Sequence, residues 1–192
     1  MLSPEADALV SKLNHKSLYL LDMVEEVFEL SKASRGHLPM KRETIDIGRL
    51  LEQTLGEMDE ELCAFGFQLK KDYPLTGMHV LCDGLHMHRV FQNLFDNALK
   101  YACPQTRIFI HAIQRSDQFC EIRIRNTSRV PLDFDPEEIM ERFKRADESR
   151  NTEGSGLGLA IARDLVNAQG GRFEIDIDGD LFKSVVEFNL ID

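Results

Sequence analysis

Asn93, Asn97, Lys100 and Tyr101 lie in a stretch that is otherwise apolar: Met87, Val90, Phe91, Leu94, Phe95, Ala98, Leu99 and Ala102. Steps of four and three place two amides and an ammonium along one side of a helix, as a polar seam on a core element. Buried polar groups need partners. An amide oxygen can ligate Mg²⁺, and a lysine one turn on can meet phosphate as a point charge. Further along, Gly154-Ser155-Gly156-Leu157-Gly158-Leu159 has glycines at alternate positions. Without Cβ atoms, backbone N–H groups there can approach phosphate oxygens, and the apolar run 157–166 reads as a helix opening beneath them. Together the two segments describe one nucleotide site. No Gly-Lys-Ser or Gly-Lys-Thr ends the loop, so it is not a P-loop. The glycines follow the polar stretch 148–153 instead of a hydrophobic strand, which counts against a dinucleotide fold.

The elements that position these residues follow from periodicity and punctuation. Ser3-Pro4-Glu5 is a helix start, and Leu13, Ser17, Leu20, Val24, Val27 and Ser31 advance by alternating fours and threes until Gly36 and Pro39. So long a helix exceeds what a small domain covers, so a partner helix is preferred over packing on its own domain. Residues 38–45 predict a short edge strand. Asp46 caps a helix running to about Cys63, with Gly66 as its stop, and 67–72 and 79–82 are strands. Asp83 caps the helix that carries the asparagines. Residues 106–113 and 119–125 alternate as a hairpin, with Cys120, Ile122 and Ile124 on one face and Asn126 continuing it inward, where it suits reading a base. A short helix over 136–143, a charged flexible loop over 144–155, a helix over 157–168 closed by Gly170-Gly171, and a final hairpin about Gly179 complete the chain. The fold class is α+β, a mixed sheet with helices on one face, preceded by a long N-terminal helix.

The chain has 192 residues, 43% hydrophobic and 29% charged, and a formal net charge of −10. These values fit one full domain plus an appendage and exclude disorder. The negative charge disfavours nucleic acid and anionic membranes, although Arg142, Lys144, Arg145 and Arg150 form a local basic cluster suited to one phosphate group. Cys63, Cys82, Cys103 and Cys120 include no C-x-x-C pair and lie in apolar stretches, so they read as core thiols in a reducing compartment and not as zinc ligands. No run is long enough to span a bilayer and no secretory signal pattern opens the chain, so a soluble, cytoplasmic segment is expected. It attaches to membrane only as the end of a longer polypeptide.

Gln92-Asn93-Leu94-Phe95-Asp96-Asn97-Ala98-Leu99-Lys100-Tyr101 resembles the N box of sensor histidine kinases. Glu141-Arg142-Phe143-Lys144-Arg145-Ala146-Asp147 resembles their F box and residues 154–160 their G2 box, in the family's order. The resemblance identifies residues 38–192 with the family's catalytic ATP-binding domain, a Bergerat-type α/β sandwich. It identifies residues 1–37 with the second helix of the dimerisation and histidine-phosphotransfer hairpin. By this resemblance Asn97 would coordinate Mg²⁺, Lys100 and Tyr101 would contact phosphates or ribose, and Asn93 would line the γ-phosphate region. Gly154, Gly156 and Gly158, with Leu157, would form the lid hinge and phosphate cradle, and Arg142 and Arg145 would join the nucleotide site. ATP and Mg²⁺ are the implied cofactors. The implied partners are the first helix of its own hairpin, in a homodimer, and a response regulator. Related ATPases carry a water-activating carboxylate where this chain has Asn93. An amide is a poor base, so transfer to an acceptor is expected over hydrolysis. Asp96 projects about 100° round the helix from Asn97 and ranks second.

Two departures from the family stand out. Its first glycine-rich box normally opens on aspartate, whereas here the run is Asn126-Thr127-Ser128-Arg129-Val130-Pro131. Asn126 can still accept from an adenine amino group, without the charge that would strengthen that bond. The phosphoacceptor signature is absent at His15, His37, His79, His86, His88 and His111, so the accepting histidine is expected outside this segment. Two rival readings share part of the pattern: a protein-serine kinase of the anti-sigma-factor type, and a degenerate module that pairs with another kinase's helix without using ATP.

Overall fold

The computed structural model describes residues 39–115, 118–140 and 156–191, with residues 6, 9, 10, 13, 14, 17, 21 and 24 of the amino-terminal segment. It divides into two compact units, Met1–Leu38 and Pro39–Asp192. In the first, every described residue is helical, and Leu9, Val10, Leu13, Leu21 and Val24 are exposed. Leu13, Ser17 and Val24 of the heptad-like seam are thus helical and exposed, while Leu20, Val27 and Ser31 lie outside the described residues. No helix among the described residues is long and apolar enough to cross a membrane.

The second unit runs β1 (Glu43–Asp46), α1 (Ile47–Glu57), α2 (Asp59–Ala64), β2 (Gln68–Asp72), β3 (His79–Cys82) and α3 (Gly84–Tyr101). It continues through β4 (Arg107–Gln114), β5 (Phe119–Thr127), α4 (Pro136–Ile139), α5 (Gly158–Ala168), β6 (Arg172–Asp178) and β7 (Leu181–Asn189). Five strands form one sheet in the order β2-β4-β5-β7-β6, parallel between β2 and β4 and antiparallel elsewhere. Alternation along the strands sorts their side chains. Ile108, Ile110 and Ala112 of β4, Cys120, Ile122 and Ile124 of β5, and Phe182, Val186 and Phe188 of β7 are buried against the helices. Phe91 and Phe95 of α3 are sealed in the same core. Removing each such side chain from water contributes about 1.5–3 kcal/mol, which is what fixes α3 on the sheet. The layering is the α+β arrangement expected, a mixed sheet with helices on one face.

Four local expectations need correction. The strand read over 38–45 is Glu43–Asp46, and it pairs with β3 in a separate two-stranded sheet instead of edging the main one. The helix read from Asp46 to Cys63 is two helices. Asp46 does cap the first, accepting from Gly48 N at 3.1 Å and Arg49 N at 3.4 Å, but the chain turns at Met58 and restarts with Asp59, Glu60 and Glu61. Three carboxylates suit a helix N-terminus better than a helix interior, because they face the positive end of the macrodipole. The helix read over 136–143 ends as α4 at Ile139, where Met140 caps it. Finally, Cys82 and Cys120 are core thiols, pushed up to about 12 by burial and by Asp83 and Glu43 beside the first and Glu121 beside the second. Cys103 is only half-buried and Cys63 is exposed, since α2 turns Leu62 inward instead.

Candidate nucleotide site

α3 carries the amides, and its start is tied down heavily. Asp83 Oδ1 accepts from His86 N at 3.1 Å, its Oδ2 accepts from Lys41 N at 2.7 Å, and its own N–H donates to Gln169 Oε1 at 2.7 Å. Gln169, buried at the end of α5, also donates from Nε2 to Leu165 O at 3.1 Å. Burial works to raise the Asp83 pKa. The backbone N–H groups of His86 and Lys41 and the nearby imidazole of His86 outweigh it, and hold the carboxyl below its usual range. A group whose folded pKa is depressed stabilises the fold above its unfolded value, here near 3.8, and that stability is lost as pH falls through the folded value. Asp83→Ala is therefore expected to cost about 1–2 kcal/mol near neutral pH. In urea unfolding the gap between variant and parent should narrow steeply below the usual carboxylate pKa. A gap that stays constant from pH 7 to pH 3 would rule out this role.

Along α3, Met87, Val90, Phe91, Leu94, Phe95, Ala98 and Leu99 are buried, which rotates Asn93 and Asn97 to a half-buried border, Tyr101 likewise, and Lys100 to the surface. The border faces α5, with which α3 packs. A Cβ added at Gly158 would stand 3.3 Å from Asn93 Oδ1, tight enough that the amide would have to shift by a few tenths of an ångström, so the first turn of α5 lies close against Asn93. Asn93 Nδ2 is sealed from solvent and has no hydrogen-bond partner among the described residues. The side chain of Asn97 makes no hydrogen bond among the described residues, which leaves its oxygen available to a cation.

Gly156 enters α5 at φ +71°, a conformation that favours glycine. Leu157 follows at the N-cap position, fully buried, and its apolar side chain offers the helix no cap. The first turn of α5 therefore presents backbone N–H groups and the positive end of a dipole toward α3, an arrangement suited to an anion. Asn126, 2% exposed, lies at the end of β5 on its inward face, paired in register with Ile108 and Phe182. Just beyond it the chain is zipped to the end of α3: Cys103 N–H donates to Thr127 O at 2.8 Å and Arg129 N–H to Tyr101 O at 2.9 Å.

Of the residues singled out in the sequence, Asn93 thus meets Gly158, Asn97 lies one turn further along the same half-buried border of α3, and Asn126 directly precedes Thr127, which is bonded to the chain leaving α3. Arg142, Arg145 and Gly154, together with the whole of the loop read over 144–155, lie outside the described residues. Among the described residues no group of three His, Cys, Asp or Glu side chains could cage a metal. A lone amide oxygen fits Mg²⁺ that is otherwise held by phosphates and water. Sequence reasoning missed Gln169. A glutamine just before Gly170-Gly171 reads as an exposed helix end, and nothing local signals that it reaches the cap of a helix far away in sequence.

Residues 82–189 match the family model described as histidine kinase-, DNA gyrase B- and HSP90-like ATPase. The chain is 32% identical over 160 residues to a probable sensor protein, PcoS, of Escherichia coli, covering 82% of this chain and 33% of that protein. It is 31% identical over 155 residues to the signal transduction histidine-protein kinase BaeS of E. coli K12, covering 80% and 33%. The chain thus spans about a third of the length of these curated relatives. The histidine kinase AdeS of Acinetobacter baumannii superposes with a TM-score of 0.80 at 20% identity, over 100% of this chain and 88% of that one. The nucleotide-free catalytic domain of histidine kinase ThkA gives 0.69 at 18% identity, over 79% and 97%. The family model spans the stretch from Cys82 to the final strand, and this stretch holds Asn93, Asn97, Asn126 and the start of α5. The chain belongs to the histidine kinase-, DNA gyrase B- and HSP90-like ATPase family, and within it to the ATP-binding catalytic domains of sensor histidine kinases.

Proposed function

We propose that this chain binds Mg-ATP between α3 and α5 and transfers the γ-phosphate to a histidine that lies outside it, as the catalytic end of a two-component sensor kinase. The observation that carries this reading is the meeting of Asn93, whose buried Nδ2 has no hydrogen-bond partner among the described residues, with the glycine-led start of α5. Bound Mg-ATP supplies the phosphoryl group and neutralises its charge. Asn97 offers the metal its amide oxygen, Lys100 and Tyr101 lie one turn on for phosphate or ribose, and the first amides of α5 cradle the phosphates. Arg142, Arg145 and Gly154 complete the set. No carboxylate stands at Asn93 to activate water, so the site holds the phosphoryl group for an incoming imidazole instead of hydrolysing it. A solved full-length neighbour, ShkA, was captured in complex with AMPPNP. AMPPNP is an analogue of ATP, the nucleotide this reading assigns here.

Residues 1–37 are the second helix of the dimerisation hairpin in this proposal. Their partner is the first helix of that hairpin in a homodimer, a response regulator receives the phosphoryl group, and the segment works in the cytoplasm, tied to membrane only through a longer parent chain. Incubated with labelled Mg-ATP, the isolated chain should stay unlabelled. An added or fused hairpin that supplies the acceptor histidine should gain acid-labile label, because transfer needs only the γ-phosphate held in line with an imidazole nitrogen. Acid-labile label on His15 of the isolated chain would overturn the proposal. Acid-stable label on a partner's serine would move it to the anti-sigma kinase class, and failure to bind nucleotide would leave the ATP-independent module.

A further inference from the structure

The face of the sheet turned away from the helices is charged, and across most of its width the charges pair off. Arg115 and Arg123 close on Glu121, which is 2% exposed. Lys183 meets Asp176 at 2.8 Å and Asp178 at 3.7 Å, and Arg172 meets Glu174. One corner, where β2, β4 and β5 run side by side, is left unanswered. In register, Lys70 and Arg125 stand on either side of Phe109. The Arg125 guanidinium lies 5.3 Å from the centre of the Phe109 ring, and its Nε is sealed from solvent without a hydrogen-bond partner. Neither Arg125 nor Lys70 has an ion pair among the described residues. Lys183, the cross-strand neighbour of Arg125 on β7, already holds Asp176 and Asp178.

Lys70, Phe109 and Arg125 line a hollow of about 330 Å³, closed at one end by His111 and Asp72, whose Nε2 and Oδ2 are 3.1 Å apart. Asp72 is the one carboxylate in the lining and is engaged by His111, while Lys71, the third lysine or arginine there, is taken by Glu52 of α1 at 2.7 Å. Lys70 and Arg125 are therefore two cations without a counter-charge, in a chain whose net charge is −10. A guanidinium covered on one side by an aromatic ring has less hydration to lose, so it takes a carboxylate or phosphoryl group more readily than one in open water. The volume lies at the lower end of small-molecule sites, which run to about 300–1,000 Å³. We infer that this hollow binds a small polyanion, a compound with two or more carboxylate or phosphoryl groups, one held by Arg125 and another by Lys70. The site is separate from the one between α3 and α5, because Ile108, Ile110 and Ile124 fill the opposite face of the same strands.

Citrate and pyrophosphate stand for the two chemical sources, and the test needs neither Mg²⁺ nor nucleotide. Titrated in turn into the isotopically labelled 192-residue chain, at least one should shift the backbone amide resonances of Lys70, Phe109 and Arg125 with a dissociation constant below about 1 mM. Tighter binding of citrate would assign a carboxylate ligand, and tighter binding of pyrophosphate a phosphoryl one. Replacing both cations, Lys70→Gln with Arg125→Gln, should weaken that binding by about tenfold or more. Arg125→Lys keeps the charge and loses the planar fork, so it should weaken binding by about threefold with the fold undisturbed. No shift in β2, β4 or β5 at about 10 mM of either anion overturns the inference, as do shifts confined to α3 and the start of α5. Undiminished affinity in the folded double variant, or in Arg125→Lys, overturns it equally.

Discussion

Replacing Asn97 by alanine is expected to abolish magnesium-dependent nucleotide binding while the fold survives. The residue sits on the half-buried border of α3 and makes no side-chain hydrogen bond among the described residues, so its removal strands no buried partner. Alanine is the best helix former, and the neighbouring core positions Leu94 and Ala98 are untouched. Stability should therefore move by no more than about 0.5 kcal/mol. Binding should move far more. Losing a partner that merely orients a metal ligand already costs roughly 10–100-fold in affinity, and the ligand itself should exceed that. Calorimetric titration with ATP, with and without Mg²⁺, separates the two effects. Equal Mg-ATP affinities for variant and parent would remove Asn97 from the metal.

A second substitution, Asn93→Asp, should add an activity. It places a carboxylate of the same shape where the amide now lies against the first turn of α5, and it discards an N–H₂ group that has no partner among the described residues. The positive end of α5 favours the new charge. A positioned general base contributes roughly 10²–10⁴-fold, so phosphate release from Mg-ATP without any acceptor should rise by about a hundredfold. A variant that still binds ATP yet releases phosphate no faster than the parent would show that the amide at 93 is not what withholds hydrolysis.

What could be read from the chain beforehand was whatever is written in short-range pattern. Asp46 and Asp83 announced their helices because each precedes an apolar-periodic run, and both cap as expected. Alternation in β5 placed Asn126 on the inward face from its neighbours alone. The break at Met58 is marked only by Gly56 in the last turn of α1, a weak signal inside a helical pattern. It follows from competition between continuing one helix and letting three acidic residues begin another, which a single-helix pattern cannot register. The separate β1–β3 pair was equally hidden, because its place beside the main sheet depends on long-range contacts such as the bridge from Val80 to Leu190. For the site, side-chain types and spacing on α3 located the polar border. The approach of Gly158 to Asn93 is a packing fact between two helices and has no local signature.

The bond between Asp83 and Gln169 turns α3 and α5 into a lever with its pivot at one end. The start of α3 is pinned to the end of α5 there, while Asn93 and Gly158 face each other on the order of 15 Å along the helices. Swinging about that pivot by some 4° would part the helices by about 1 Å at the nucleotide end and by almost nothing at the pinned end. A tilt of α5 about this pivot would widen the gap between Asn93 and Gly158 and leave Phe91 and Phe95 of α3 seated on the sheet.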